Sequence, residues 1–137
     1  MPPKLRILII EDNIEDANLI QFHLTEEGID YISRIVDTKE DFEDALDNFS
    51  PDAILCDHTL PQFDSVLALK ILNKRKIKIP FILVTGSVSE EFAVQMIHSG
   101  ASDYIIKDRM ARLPAALTNA LIRSRNENEK QRYIEKV

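Results

Sequence analysis

Five side chains in this 137-residue sequence stand where chemistry could be done. Glu11 and Asp12 follow the apolar run "ILII" at once. Asp57 closes the run that begins "AILC", Thr85 closes "FILV", and Lys107 follows "DYII". Carboxylates crowded together raise one another's pKa values, and a divalent cation removes that conflict. Oxygen donors with no Cys or His among them favour Mg2+ or Mn2+. A hydroxyl and an ammonium beside a metal-bound carboxylate make a place for a phosphoryl group. The carboxylate can attack phosphorus while the cation, Lys107 and Thr85 meet the phosphoryl oxygens.

That chemistry requires residues far apart in sequence to meet, so the elements between them decide it. Apolar periodicity switches back and forth along the chain. "LRILII" (Leu5–Ile10) reads as a strand covered on both faces. Ile14, Ala17, Ile20 and Leu24 then recur at helical spacing, and Gly28 closes that helix as a C′ residue. "YISRIV" (Tyr31–Val36) is a second strand. Thr38 with Asp41 starts a helix whose inner face is Phe42, Ala45, Leu46 and Phe49, stopped by Pro51. "AILCD" (Ala53–Asp57) is the third strand. Asp64 caps a helix with Val66, Leu67, Ile71 and Leu72 expected inward. "FILVT" (Phe81–Thr85) is the fourth strand. Ser87 or Ser89 caps a helix carrying Phe92, Ala93, Met96 and Ile97, ended by Gly100. "DYII" (Asp103–Ile106) is the fifth strand, and a last helix is expected from about Ala111 with Leu113, Leu117, Ala120 and Leu121 on its apolar side.

Five strands alternating with five helices argue for an α/β fold, a parallel sheet with helices on both faces and right-handed crossovers. In open sheets of this kind the ligand site lies beyond the carboxyl ends of the strands. Glu11, Asp12, Asp57, Thr85 and Lys107 all fall there; Asp37, after the second strand, is expected at the sheet edge, away from them. Taken singly, each has an ordinary explanation. The acid pair could cap the first helix, Asp57 could be a loop acid, Thr85 a β-branched strand end, and Lys107 a solvated charge. Their shared place at one end of one sheet argues against coincidence.

The stretches "ILIIEDN", "AILCDHTLPQFD", "FILVTG" and "GASDYIIKD" together resemble the receiver domains of two-component response regulators, over Leu5 to Leu121. The resemblance implies a flavodoxin-like sandwich with strand order 2-1-3-4-5 and a phosphoryl acceptor at Asp57. It implies Mg2+ held by Asp12 and Asp57, by Glu11 mainly through water, and by the backbone carbonyl of Thr59. Thr85 would be the switch hydroxyl, Lys107 the lysine of the pattern, and Tyr104 the aromatic rotamer switch. The phosphodonor would be a phosphohistidine on a sensor histidine kinase or phosphotransfer protein. Two residues depart from the family pattern. Ser65 stands where Gly usually follows the loop acid, and Asp108 where Pro usually follows the lysine, so a trans Lys107–Asp108 bond is expected.

The remaining composition narrows the classes. A formal net charge of −6 carries no nucleic-acid footprint. No apolar run approaches a membrane span, and "MPPKLRI" is no signal peptide. The single cysteine, Cys56, allows no intrachain disulfide and reads as an inert buried thiol in a cytoplasmic protein. His23, His58 and His98 show no metal-ligand spacing. An enzyme on the same architecture, such as a flavoprotein or phosphohydrolase, is disfavoured because no phosphate loop follows the first strand and Thr59, not an acid, stands two residues beyond Asp57, so a switch is expected rather than an enzyme. The alternative is a degenerate receiver that binds partners without being phosphorylated. Residues 1–122 are read as the receiver and 123–137 as a charged helical tail. Arg123–Arg132 has no large apolar residue, whereas Tyr133, Ile134 and Val137 reopen an apolar face. That pattern suggests a solvated linker or a short coiled-coil lead, with a homodimer or a further domain as its consequence.

Overall fold

The computed structural model describes residues 4–58, 63–86 and 89–136, with side chains described through residue 127. Five strands and five helices alternate: β1 (Leu5–Ile10), α1 (Ile14–Glu26), β2 (Tyr31–Val36), α2 (Lys39–Asn48), β3 (Ala53–Cys56), α3 (Ser65–Arg75), β4 (Phe81–Thr85), α4 (Glu90–His98), β5 (Asp103–Ile106) and α5 (Leu113–Lys136). A 3-10 segment, Lys107–Arg112, joins β5 to α5. All strand pairs are parallel, in the order β2-β1-β3-β4-β5.

Alternation along the strands builds two cores. In β1, Leu8 and Ile10 pack with Phe42, Phe63, Leu72 and Met96 on the side of α2, α3 and α4. Ile7 and Ile9 pack with Ile20, Leu24, Leu113 and Leu117 on the side of α1 and α5. Side chains of successive strand residues point to opposite faces, so a strand covered on both sides must be apolar throughout. Every residue of β3 and β4 is accordingly buried.

The first four helices begin on side-chain caps, legible in the sequence for α2, α3 and α4 but not for α1, where Asn13 rather than the acid pair takes the place. Asn13, Thr38, Asp64 and Ser89 each accept the backbone N–H three residues on, at 2.9 to 3.1 Å. Ser89, not Ser87, caps α4; Ser87 lies outside the described residues. Gly28 and Gly100 follow α1 and α4 with φ of 75° and 119°, where a Cβ would be strained.

Three expected inward residues are instead exposed. Ile14 is 77% exposed, because the first turn of α1 rises beyond the strand ends that would cover it. On α3 the buried stripe is Ser65, Ala68, Leu69 and Leu72, spaced three and four apart, which turns Leu67 outward. Ile97 likewise lies outside the Ala93–Met96 stripe of α4.

The last helix starts at Leu113, two residues later than expected, because the 3-10 segment precedes it and buries Met110. The Lys107–Asp108 bond is trans: no cis peptide occurs among the described residues. Arg112 holds the segment against β5, reaching both carboxylate oxygens of Asp103 at 3.2 Å and the carbonyl of Tyr104. The backbone of α5 stays helical past residue 122 to Lys136. The side chains of Tyr133 and Ile134, and Val137 altogether, lie outside what is described.

Candidate functional site

Strand register assembles the site. Ile10 lies opposite Cys56, so the next residues along, Glu11 and Asp57, are neighbours at the carboxyl edge. The Asp57 N–H donates to the Ile10 carbonyl at 2.9 Å, and the Glu11 N–H to the Val36 carbonyl at 3.0 Å, extending the ladder to the acids themselves. Across the sheet, Thr85 pairs with Ile106, which puts Lys107 one step beyond it at the same edge. Four residues from four different strands or strand ends thereby share one edge of the sheet.

Carboxylate oxygens of Glu11, Asp12 and Asp57 lie within 4.8 Å of one another. Glu11, Asp57 and Thr85 are buried, whereas Asp12 is exposed. The Lys107 ammonium sits 2.9 Å from Glu11 Oε2, 2.6 Å from Asp16 Oδ2 and 3.5 Å from Asp57 Oδ2. Three carboxylates thus surround one cation. Burial pushes the Glu11 carboxyl up to about 7; the hydrogen bonds from Lys107 and the Asn13 N–H oppose it, and the charge of Asp57 adds to it. Burial alone would lower the Lys107 ammonium, but the hydrogen bonds to Asp16 and Glu11 and the charge of Asp57 outweigh it, and its pKa rises. Lys107 therefore stays charged, and the acids carry an excess of negative charge that it cannot cancel.

These donors suit a hard divalent ion. All three are carboxylates, the group contains no His or Cys, and they converge from two strand ends with an open side at Asp12. Asn13, not Glu11 or Asp12, is the N-cap of α1, and Glu11 accepts the Asn13 N–H at 3.1 Å. Thr59, expected to add a carbonyl, lies outside the described residues. Tyr104 is half-buried on β5, level with Leu83 of β4, and packs against the α2–α4 core. Cys56 is fully buried, and burial followed by the charges of Asp57, Glu11 and Asp64 pushes its thiol up, so it is a poor nucleophile. His58 binds Ser65 Oγ through Nδ1 at 2.9 Å and lies against the Phe92 ring, with centroids 4.2 Å apart.

Asp16 escaped the sequence reading. It stands in the first turn of α1, where an acid is already explained by the helix dipole. Its spacing from Glu11 and Asp12 resembles no ligand pattern. Only the packing of α1 beside the 3-10 segment that begins at Lys107 reveals that the two meet.

A doubly covered parallel sheet in this strand order, with an acidic cluster and a lysine at its carboxyl edge, defines a CheY-like receiver architecture. Residues 7–118 match the response regulator receiver domain family, and the chain belongs to that family. It is 31% identical over 121 residues to the alkaline phosphatase synthesis transcriptional regulatory protein PhoP of Bacillus subtilis, a match spanning 86% of this chain and 48% of the relative. It is also 31% identical over 103 residues to the cell cycle transcriptional regulator CtrA of Caulobacter vibrioides, covering 75% of this chain and 44% of that protein. Among solved structures, a CheY-like response regulator receiver domain protein from Methanospirillum hungatei superposes with a TM-score of 0.78 at 26% identity, covering 91% of this chain and 99% of that one. The chain spans about half or less of the length of the curated relatives it matches. Among the described residues, no helix is long and apolar enough to cross a membrane.

Proposed function

We propose that this receiver domain is a phosphorylation-controlled switch, with Asp57 as the acceptor. The observation that carries it is the convergence of Glu11, Asp12 and Asp57 within 4.8 Å, with Lys107 3.5 Å from Asp57. An oxygen of Asp57 attacks the phosphorus of a phosphohistidine on a sensor kinase or phosphotransfer protein. The new O–P bond forms as the P–N bond breaks, and the imidazole nitrogen leaves with the electron pair. Glu11, Asp12 and Asp57 would hold Mg2+, together with the Thr59 carbonyl; the ion supplies positive charge for the phosphoryl oxygens. Lys107 neutralises one phosphoryl oxygen, and Thr85 donates its hydroxyl to another.

The phosphoryl group adds about −1.5 to −2 charges. Drawing Thr85 inward frees space beside β5, into which Tyr104 turns. The α4–β5 surface then changes by a shift between two packings. That surface meets a downstream partner or domain, in keeping with relatives named as transcriptional regulators. In this reading residues 1–122 are the receiver and residues 123–137 a helical linker in a cytoplasmic protein. This domain itself contacts neither nucleic acid nor membrane.

The test is incubation with a small acyl or amido phosphodonor, with Mg2+ or with chelator, followed by intact-mass measurement. One phosphoryl group should be added with Mg2+ only, and Asp57→Asn should abolish it. Equal labelling under chelation, or undiminished labelling of Asp57→Asn, sinks the mechanism.

A further inference from the structure

We propose that Asp16 is a positioning residue that holds the Lys107 ammonium in place for phosphoryl transfer after the acidic cluster has been engaged by Mg2+. This rests on the assignment of Asp57 as acceptor and deepens it.

Three carboxylates compete for Lys107. The shortest contact is to Asp16 at 2.6 Å, then Glu11 at 2.9 Å, then Asp57 at 3.5 Å. Glu11 and Asp57 belong to the cluster whose oxygens lie within 4.8 Å of one another, and Asp16 does not. A cation bound there draws on Glu11 and Asp57 and weakens their hold on the lysine by both geometry and charge. Asp16 keeps its hold, because it donates nothing to the cluster.

The position of Asp16 is itself tied to the site. Its backbone N–H donates to Asn13 Oδ1 at 2.9 Å, so the α1 cap that follows Asp12 directly also sets where Asp16 stands. An ammonium has three N–H donors arranged about one axis. With one taken by Asp16 and another by Glu11, a third remains, and Asp57 Oδ2 lies 3.5 Å away, too far for a good hydrogen bond. A phosphoryl oxygen arriving on Asp57 extends from the carboxylate and closes that gap. Without Asp16, a four-carbon side chain carrying the charge would be free to wander once Glu11 turns to the metal, and alignment would have to be found during each transfer.

The consequence is a division that no purely structural role would produce. In the Mg2+-bound protein the Lys107 ammonium should remain ordered by Asp16 alone. The readout is the 15N-detected lysine ammonium signal at neutral pH and low temperature, visible only where protons exchange slowly. The wild-type Lys107 signal should persist through a Mg2+ titration. In Asp16→Asn it should be present with chelator, held by Glu11, and vanish as Mg2+ is added. Labelling of Asp57 by a small acyl phosphodonor should slow about tenfold in Asp16→Asn, the usual worth of one charge-assisted hydrogen bond. Mg2+ affinity, measured by calorimetry, should change far less. Asp16→Glu should recover part of both signal and rate.

Loss of the wild-type Lys107 signal on adding Mg2+ overturns the proposal. So does an Asp16→Asn protein that keeps the signal, or that labels as fast as or faster than wild type. If wild type itself takes no phosphoryl group, the assignment of Asp57 fails, and the ammonium signal still decides whether Asp16 holds Lys107.

Discussion

Raising the pH should destabilise the metal-free protein, and Mg2+ should reverse the loss. Glu11 is 3% exposed, and its carboxyl rises from an ordinary 4.5 to about 7 when folded. A group whose folded pKa is raised binds its proton more tightly in the native state. Its contribution is therefore complete below about pH 4.5 and lost as the pH climbs through about 7. Each tenfold difference in proton affinity is worth about 1.4 kcal/mol, so the loss approaches about 3 kcal/mol by pH 8. Somewhat under half of it, about 1.4 kcal/mol, falls between pH 6 and pH 8, which for a chain of this size lowers Tm by about 5 °C. A cation on Glu11, Asp12 and Asp57 favours the ionised carboxylates, so its stabilisation should grow over the same interval. Thermal unfolding at pH 6 and pH 8, with Mg2+ or with chelator, reads both effects. The Mg2+-induced rise in Tm should be small at pH 6 and large at pH 8. Glu11→Gln should flatten the pH dependence of the metal-free protein, since an amide has no proton to lose. Equal Mg2+ effects at the two pH values, or an unchanged slope in Glu11→Gln, would refute the reasoning.

Two further changes separate the switch from the scaffold. Thr85→Ala should leave Asp57 able to take the phosphoryl group but shrink the resulting amide shifts along α4 and β5, as followed by NMR before and after phosphodonor. Asn13→Ala should remove the α1 cap that binds the Asp16 N–H and cost about 1 kcal/mol in urea unfolding, with the slope against denaturant unchanged.

Strand positions were readable along the chain because each strand of a doubly covered sheet is an almost unbroken apolar run, and "AILC" and "FILV" are buried at every residue. Caps were readable for the same local reason. Thr38, Asp64 and Ser89 act on an N–H only three residues away. Even the acidic cluster could be anticipated, because residues after the strands of a parallel sheet share one edge whatever the loops between them do. Which way a helix turns was less legible. Leu67 and Ala68 differ by one step along α3, and periodicity favoured the larger side chain. The space beneath α3 admits Ala68 and leaves Leu67 outside.

The departure at Asp108 was visible in the sequence, but its consequence was not. A 3-10 segment clasped by Arg112 to Asp103 and Tyr104 depends on β5 lying alongside it. Asp16 is the clearest case. It lies 91 residues from Lys107, and the two meet only because α1 packs beside the 3-10 segment that follows β5. Periodicity records which neighbours in sequence share a face. An ion pair records where two separately anchored atoms come to rest, to within a few tenths of an ångström, and that is set by the packing of elements the local sequence cannot see.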